Sequence, residues 1–228
     1  MVSATTNSFS RTKIVSDLGA SSTVHARIPV YFFLDFSNIA ISASQLAAKN
    51  GDGIYSDHRI RLHCDNLRAL AERGRQWQSG FAAAGFSNPQ SNIKQHFDRA
   101  GIKMHLSERG LSTRREQNVD QLIQLEMWKL LQRHCPPGVV VLATGDGAGA
   151  IDGEGFIPTL KYIREQGFDI EVMSWEHSLN PCLRSWAESN GRSILLNPFY
   201  ENLTFVDGGR RASSANALYK KVALHRLN

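Results

Sequence analysis

Residues 139–158 read VVVLATGDGAGAIDGEGFIP. Val139 to Leu142 form an unbroken apolar run, Thr144-Gly145-Asp146-Gly147 follows, and a glycine-rich loop carries Asp152 and Glu154 before the chain turns apolar again. A short, β-branched apolar run bounded by glycines reads as a strand buried on both faces. The stretch GFIPTLKYIREQG (155–167) reads as a helix closed by Gly167, provided Pro158 lies in its first turn, where its missing N–H costs nothing. Strand, loop and helix in that order form one α/β unit.

Working outward, the same alternation recurs. RIPVYFFLDF (27–36) is a second central strand, followed by a helical region from Asn38 to Ala48 that the loop Asn50-Gly51-Asp52-Gly53 interrupts. The segment 59–78 has Ile60, Leu62, Leu67, Leu70 and Ala71 near helical spacing and is read as a helix. SGFAAAGFSNPQ (79–90) is a short strand of small residues broken by Ser-Asn-Pro. SNIKQHFDRAG (91–101) sets Ile93, Phe97 and Ala100 on one helical face, and IKMHL (102–106) alternates as a strand does. Thr113 and Glu116 fit a capping box, and Val119, Leu122, Ile123, Met127, Leu130 and Leu131 make the apolar stripe of the helix it announces. After the 139–158 unit come a strand at 168–175, a helix at 178–191 with Pro181 in its first turn, and a last strand or edge segment at 192–199. Strands alternating with helices imply a mainly parallel sheet covered on both faces. In such sheets ligands sit beyond the carboxyl ends of the strands.

The chain has 228 residues, enough for one such domain. We divide it into a polar, loosely ordered leader (1–27), the domain (28–206) and a basic tail (207–228). No apolar run approaches the ~20 residues of a membrane span, so no membrane association is expected. The leader has no apolar core of a secretory signal. Three widely spaced cysteines, Cys64, Cys135 and Cys182, make neither a disulfide framework nor a zinc motif, and cytoplasm is the expected compartment. The net charge is +5, and the last twenty residues hold Arg210, Arg211, Lys220, Lys221 and Arg226 with no acid. A polyanionic partner would gain from that charge through counterion release. A solvated surface explains it equally.

The acids decide between classes of chemistry. Asp35 ends the first strand with Asn38 three residues on, and Asp146 comes just after the VVVLAT strand (139–144), so both project from the ligand edge. Asp120 lies about two turns beyond Thr113, on a stripe with Ile123, Met127 and Leu131. An isolated buried carboxylate costs several kcal/mol unless a cation or strong donors compensate. Otherwise Asp120 merely complements the positive end of its helix. Converging carboxylates suit a hard divalent cation, Mg²⁺ or Mn²⁺, which keeps open positions for a phosphate oxygen and a water. On this reading Asp146 sits between glycines because the backbone must make room for metal and phosphodiester.

Four segments in order resemble the NYN family, a branch of the PIN-like nucleases. They are Asp35-x-x-Asn38 after an apolar strand, REQNVDQLIQLEM (115–127), VVLATGDGAGAIDGEGFIP, and GFDIEVMSWEHSLNPCLRSWAE (167–188). The resemblance spans about residues 29–205. It implies an α/β, PIN-like or Rossmann-like three-layer fold and a metal-dependent endoribonuclease, hydrolysing RNA phosphodiesters with a metal-activated water. Asp35, Asp120 and Asp146 would be metal-binding acids and Asn38 would orient a ligand or water. Single-stranded RNA is the implied partner, with DNA not excluded and a homodimer admitted. Many relatives carry a second acid two residues after the aspartate of [ST]-G-D, where this chain has Ala148. Glu154, slightly ahead of Asp152, is the candidate replacement. The alternative is a PIN-like module that binds RNA or a protein and cleaves weakly or not at all.

Arg114 and Arg115, near the start of the Asp120 helix, and the pair Arg73/Arg75 are candidate contacts to the RNA backbone. Of the four tryptophans, Trp175 is the candidate for stacking on a base, whereas Trp128 reads as packing. No G-x-S-x-G elbow and no Walker loop is present, which leaves serine hydrolase and nucleotide-binding chemistry without a motif.

Overall fold

The computed structural model describes residues 28–52, 60–86, 91–108, 119–147 and 155–206. Six strands form the main sheet: β1 (Pro29–Asp35), β3 (Gln76–Phe86), β4 (Ile102–Glu108), β5 (Val139–Ala143), β6 (Asp169–Ser174) and β7 (Arg192–Leu195). Their order is β4-β3-β1-β5-β6-β7 and every neighbouring pair is parallel. The chain builds outward from β1 in one direction and then outward from β5 in the other. The sheet therefore reverses its winding between β1 and β5, the crevice in which open α/β sheets hold ligands.

Central position explains the two solid apolar runs. β1 and β5 each have a strand on both sides and helices above and below, so neither face of either strand meets water. Side-chain alternation sorts their residues. Val30, Phe32, Leu34, Val139, Val141 and Ala143 enter one core with helices α1 (Phe36–Lys49), α2 (Cys64–Glu72) and α3 (Ser91–Arg99). Tyr31, Phe33, Val140 and Leu142 enter the other core with α4 (Val119–Gln132), α5 (Phe156–Glu165) and α6 (Pro181–Asn190). This is the expected α/β three-layer fold.

Two segments differ from the sequence reading. Residues 59–78 do not form one helix: β2 (Ile60–Leu62), α2 and the start of β3 divide them. The helix stops because Arg73 and Gly74 both take positive φ, of 45° and 76°. β2 is held by a partner far away in sequence, pairing antiparallel with β8 (Thr204–Val206), which follows a short 3-10 turn and α7 (Tyr200–Leu203). The expected short strand at 79–90 instead begins at Gln76. The capping residues Thr113 and Glu116, the leader 1–27 and the tail 207–228 lie outside the described residues.

All three cysteines are unpaired. Cys64 opens α2 inside the core, and burial, reinforced by neighbouring Asp65, pushes its thiol up to about 12. Since only the thiolate reacts, iodoacetamide at pH 8 should label the exposed Cys182 of the native protein and spare Cys64 until denaturant is added. Mass spectrometry of the labelled peptides reads this directly. Equal labelling rates for the two would contradict the packing of α2.

Candidate active site at the carboxyl ends of the strands

Asp35 is both the last residue of β1 and the N-cap of α1. Its Oδ1 accepts from the Asn38 backbone N–H at 3.0 Å, satisfying a donor that every helix start leaves open. Its Oδ2 accepts from the Thr144 hydroxyl at 3.2 Å. With only 4% of its surface exposed, the carboxylate is fixed in one orientation by these two donors. Thr144 follows β5 directly and is fully buried, and its Oγ1 in turn accepts from the Asp146 backbone N–H at 3.1 Å. A single hydroxyl thus ties the carboxylate ending β1 to the backbone that carries Asp146. The Asn38 side chain completes the tie, its Oδ1 accepting from the Gly145 N–H at 2.8 Å.

The glycines flanking Asp146 have a reason other than the one the sequence suggested. Neither has a positive φ. A Cβ on Gly145 would stand 2.4 Å from the Ser178 carbonyl oxygen and 2.9 Å from Asn38 Oδ1, and one on Gly147 would stand 2.5 Å from Asn180 Cγ. The loop lies against the residues leading into α6, and the Asn180 N–H donates to the Gly145 carbonyl at 2.9 Å. These glycines are small so that protein can pack on them, and Asp146 is held half-exposed on a braced turn.

Asp120 lies in the first described turn of α4, and residues 113–118, from which its depth in the helix is counted, lie outside the described residues. It is half-buried while Ile123 and Met127 below it are fully covered. α4 packs on β3 and β1 and leads into β5. It therefore runs against the strands, and its first turn stands at the edge where Asp35 and Asp146 end. There a carboxylate also complements the helix dipole. Among the described residues, no three His, Cys, Asp or Glu side chains stand close enough to hold a metal ion. Glu154, Arg114 and Arg115 lie outside the described residues.

Two other expectations are overturned. Trp175 is no base platform: it is fully buried, and its indole N–H donates to the Ile39 carbonyl at 2.9 Å, which anchors α1 to the end of β6. Arg73 and Arg75 do not face a nucleic acid. Both bond Glu171 of β6, Arg75 through a fork of 3.1 and 2.8 Å. Burial lowers the Arg73 guanidinium from its ordinary value, and the nearby Glu171 carboxylate partly restores it.

The NYN domain model matches residues 29–189. This chain belongs to the NYN family. Its matched span starts with β1 and ends within α6, so it contains every residue of the Asp35–Thr144–Asp146 tie. The NYN domain is of the PIN-like nuclease type. Among solved structures, the chain is similar to VPA0982, a protein of unknown function from Vibrio parahaemolyticus. The identity is 13%, coverage is 75% of this chain and 94% of that one, and the TM-score is 0.54. At that identity the likeness concerns the fold alone. YbdL from Escherichia coli, described with a methionine aminotransferase function, is 14% identical over 72% of this chain and 45% of that one. Its TM-score of 0.24 carries no argument. No curated protein matches the chain.

Sequence reasoning picked out the aspartates of this NYN domain but gave Thr144 no role. A hydroxyl directly after a buried strand, two residues before an acid, was the available signal. The packing of Ser178 and Asn180 onto the glycine loop had none, because it depends on which helix follows β6.

Proposed function

We propose that this NYN domain is a metal-dependent endoribonuclease, with its site at the crevice between β1 and β5. The observation that carries the reading is the Asp35–Thr144–Asp146 tie, which sets two carboxylate residues at the topological switch point. The oxygen donors there suit Mg²⁺ or Mn²⁺, since such ions use one or two protein carboxylates and complete their shell with water and substrate phosphate. Asp35 and Asp146 would hold the ion, with Asp120 at the same edge and Glu154 as further acids. Once bound, it would supply Lewis-acid polarisation of a phosphate oxygen and a water acidic enough to attack near neutral pH.

The chain's own residues do the positioning. Asn38 N–H and the Thr144 hydroxyl hold the Asp35 carboxylate in one rotamer. Asn38 through its side chain, and Asn180 through its backbone, brace the turn that presents Asp146. Here Asn38 is a positioning residue for the loop, and single-stranded RNA is the proposed substrate. Three unpaired cysteines fit a reducing compartment such as the cytoplasm. No helix among the described residues is long and apolar enough to cross a membrane.

A second reading, an RNA-binding module that does not cleave, is favoured by one observation: the described acids do not gather into a three-ligand cluster. Labelled single-stranded RNA separates the two. With Mn²⁺ the parent chain should cleave it, and chelator or Asp146→Asn should each abolish the cleavage. Binding without turnover would identify the module. Cleavage that survives both changes would place the site elsewhere.

A further inference from the structure

Five large apolar side chains are exposed among the described residues: Ile28, Ile41, Leu125, Trp128 and Tyr162. Ile28 and Ile41 stand apart from the rest. The other three share one spot on the outer surface of α4 and α5. Leu125 and Trp128 are neighbours at i, i+3 on α4, and the ring of Trp128 meets that of Tyr162 on α5, centroids 4.7 Å apart and planes 40° apart. Trp128 is 37% exposed, Tyr162 42% and Leu125 51%. The core stripe of α4 is Val119, Ile123, Met127 and Leu130, so Trp128 lies at its rim and contributes only part of its surface to packing. Tryptophan left this open to water is uncommon.

We infer that Trp128 and Tyr162 form a stacking subsite for the bases of a single-stranded nucleic acid, an inference that rests on the nuclease reading above. Three observations support it. First, the pair belongs to the two helices that start at the site edge: α4 with Asp120 in its first turn, α5 directly after the loop that Asp146 opens. At ~1.5 Å of rise per residue, Trp128 stands roughly 12 Å below Asp120 and Tyr162 roughly 9 Å below the start of α5. A strand leaving the crevice over this face would pass it. Second, the patch is three side chains wide, among exposed Gln121, Gln132, Lys161 and Glu165. A stable protein interface takes about 20–30 residues a side, whereas one or two aromatic rings suffice to stack a base whatever its identity. Third, Lys161 lies on the exposed crest of α5 beside Tyr162 and makes no ion pair among the described residues, which suits a phosphate.

The test uses the full chain carrying Asp146→Asn, so that the probe survives, and a labelled oligouridylate of about a dozen nucleotides. Adding Trp128→Ala or Tyr162→Ala should weaken binding about tenfold, Trp128→Phe should restore most of the loss, and each variant should keep the far-UV circular dichroism of the parent at the temperature of the binding assay. The loss should persist at raised salt, because stacking, unlike phosphate contact, releases no counterions. An oligonucleotide with abasic internal sites should bind the parent weakly and Trp128→Ala no worse than that. In the cleavage-competent chain, Trp128→Ala should raise KM and leave kcat. Unchanged binding in Trp128→Ala while metal-dependent cleavage persists would overturn the subsite and leave the nuclease reading intact. A chain that neither binds nor cleaves RNA would remove both. A concentration-dependent dimer that Trp128→Ala dissolves would make the patch a contact between copies and overturn the subsite.

Discussion

Glu171→Ala should lower the free energy of unfolding by about 3–5 kcal/mol, the cost of removing one partner from a buried charge cluster. Glu171 lies on the α2-side face of β6, its side chain 9% exposed, and the side chains of Arg73 and Arg75 that meet it are 9% and 16% exposed. Removing the carboxylate leaves two guanidinium groups, with Arg192 also nearby, and no other ion-pair partner for either among the described residues. Backbone carbonyls help only partly: Arg75 also donates to the Ala71 and Glu72 oxygens. The pairing also fastens the turn between α2 and β3 to β6, three strands along the sheet. Native domains hold only about 5–15 kcal/mol in total, so a large fraction of stability is at stake. Urea denaturation would show the midpoint falling with the slope unchanged. Glu171→Gln should lose less, since it keeps an acceptor and the shape. Glu188→Ala removes the exposed partner of Arg184 and should leave the midpoint where it is. A Glu171→Ala midpoint equal to the parent's would mean that water reaches the two arginines.

The same cluster marks where the amino-acid sequence stops being legible. Local information sufficed for β1 and β5, because a strand paired on both sides shows itself as an unbroken apolar run. It sufficed for α6, because Asn180 and Pro181 are a cap and a first-turn residue regardless of what the helix packs against. It failed where a residue's meaning depends on a distant partner. Arg73 and Arg75 look like any surface pair until β6 delivers Glu171, 98 and 96 residues later. The 59–78 segment looks helical throughout until β8 arrives to claim Ile60–Leu62. Trp175 departs from the role expected of it for a related reason. An aromatic residue following a strand is buried or not according to the helix above it, and α1 covers Trp175. In the candidate site, the placement of Asp35 and Asp146 was legible because strand ends are; Thr144 as the link between them was not.

On the proposed nuclease reading Asp35 carries two duties, and Asp35→Asn should separate them, leaving the fold within about 1 kcal/mol of the parent while cutting RNA cleavage roughly 100-fold or more. Asparagine caps helices as well as aspartate does, so the Asn38 N–H keeps an acceptor and α1 keeps its start. What changes is the second oxygen. Thr144 now donates to Oδ2 at 3.2 Å, and in the variant either it faces an amide that also donates or the amide turns over and uncaps α1. The negative charge at the crevice is lost in both arrangements, and with it the stabilisation of a cation. Asp35→Ala removes the cap as well, so it should also lose about 0.5–2 kcal/mol in the urea titration. Activity should thus fall in both variants, whereas stability falls chiefly in the second. Raising Mn²⁺ should recover part of the Asp35→Asn cleavage if the lost group is a ligand, and none if it only shaped the loop. Should Asp35→Asn cleave like the parent, its carboxylate is a helix cap and nothing more, and the chemistry must reside with Asp146 and the acids beyond it.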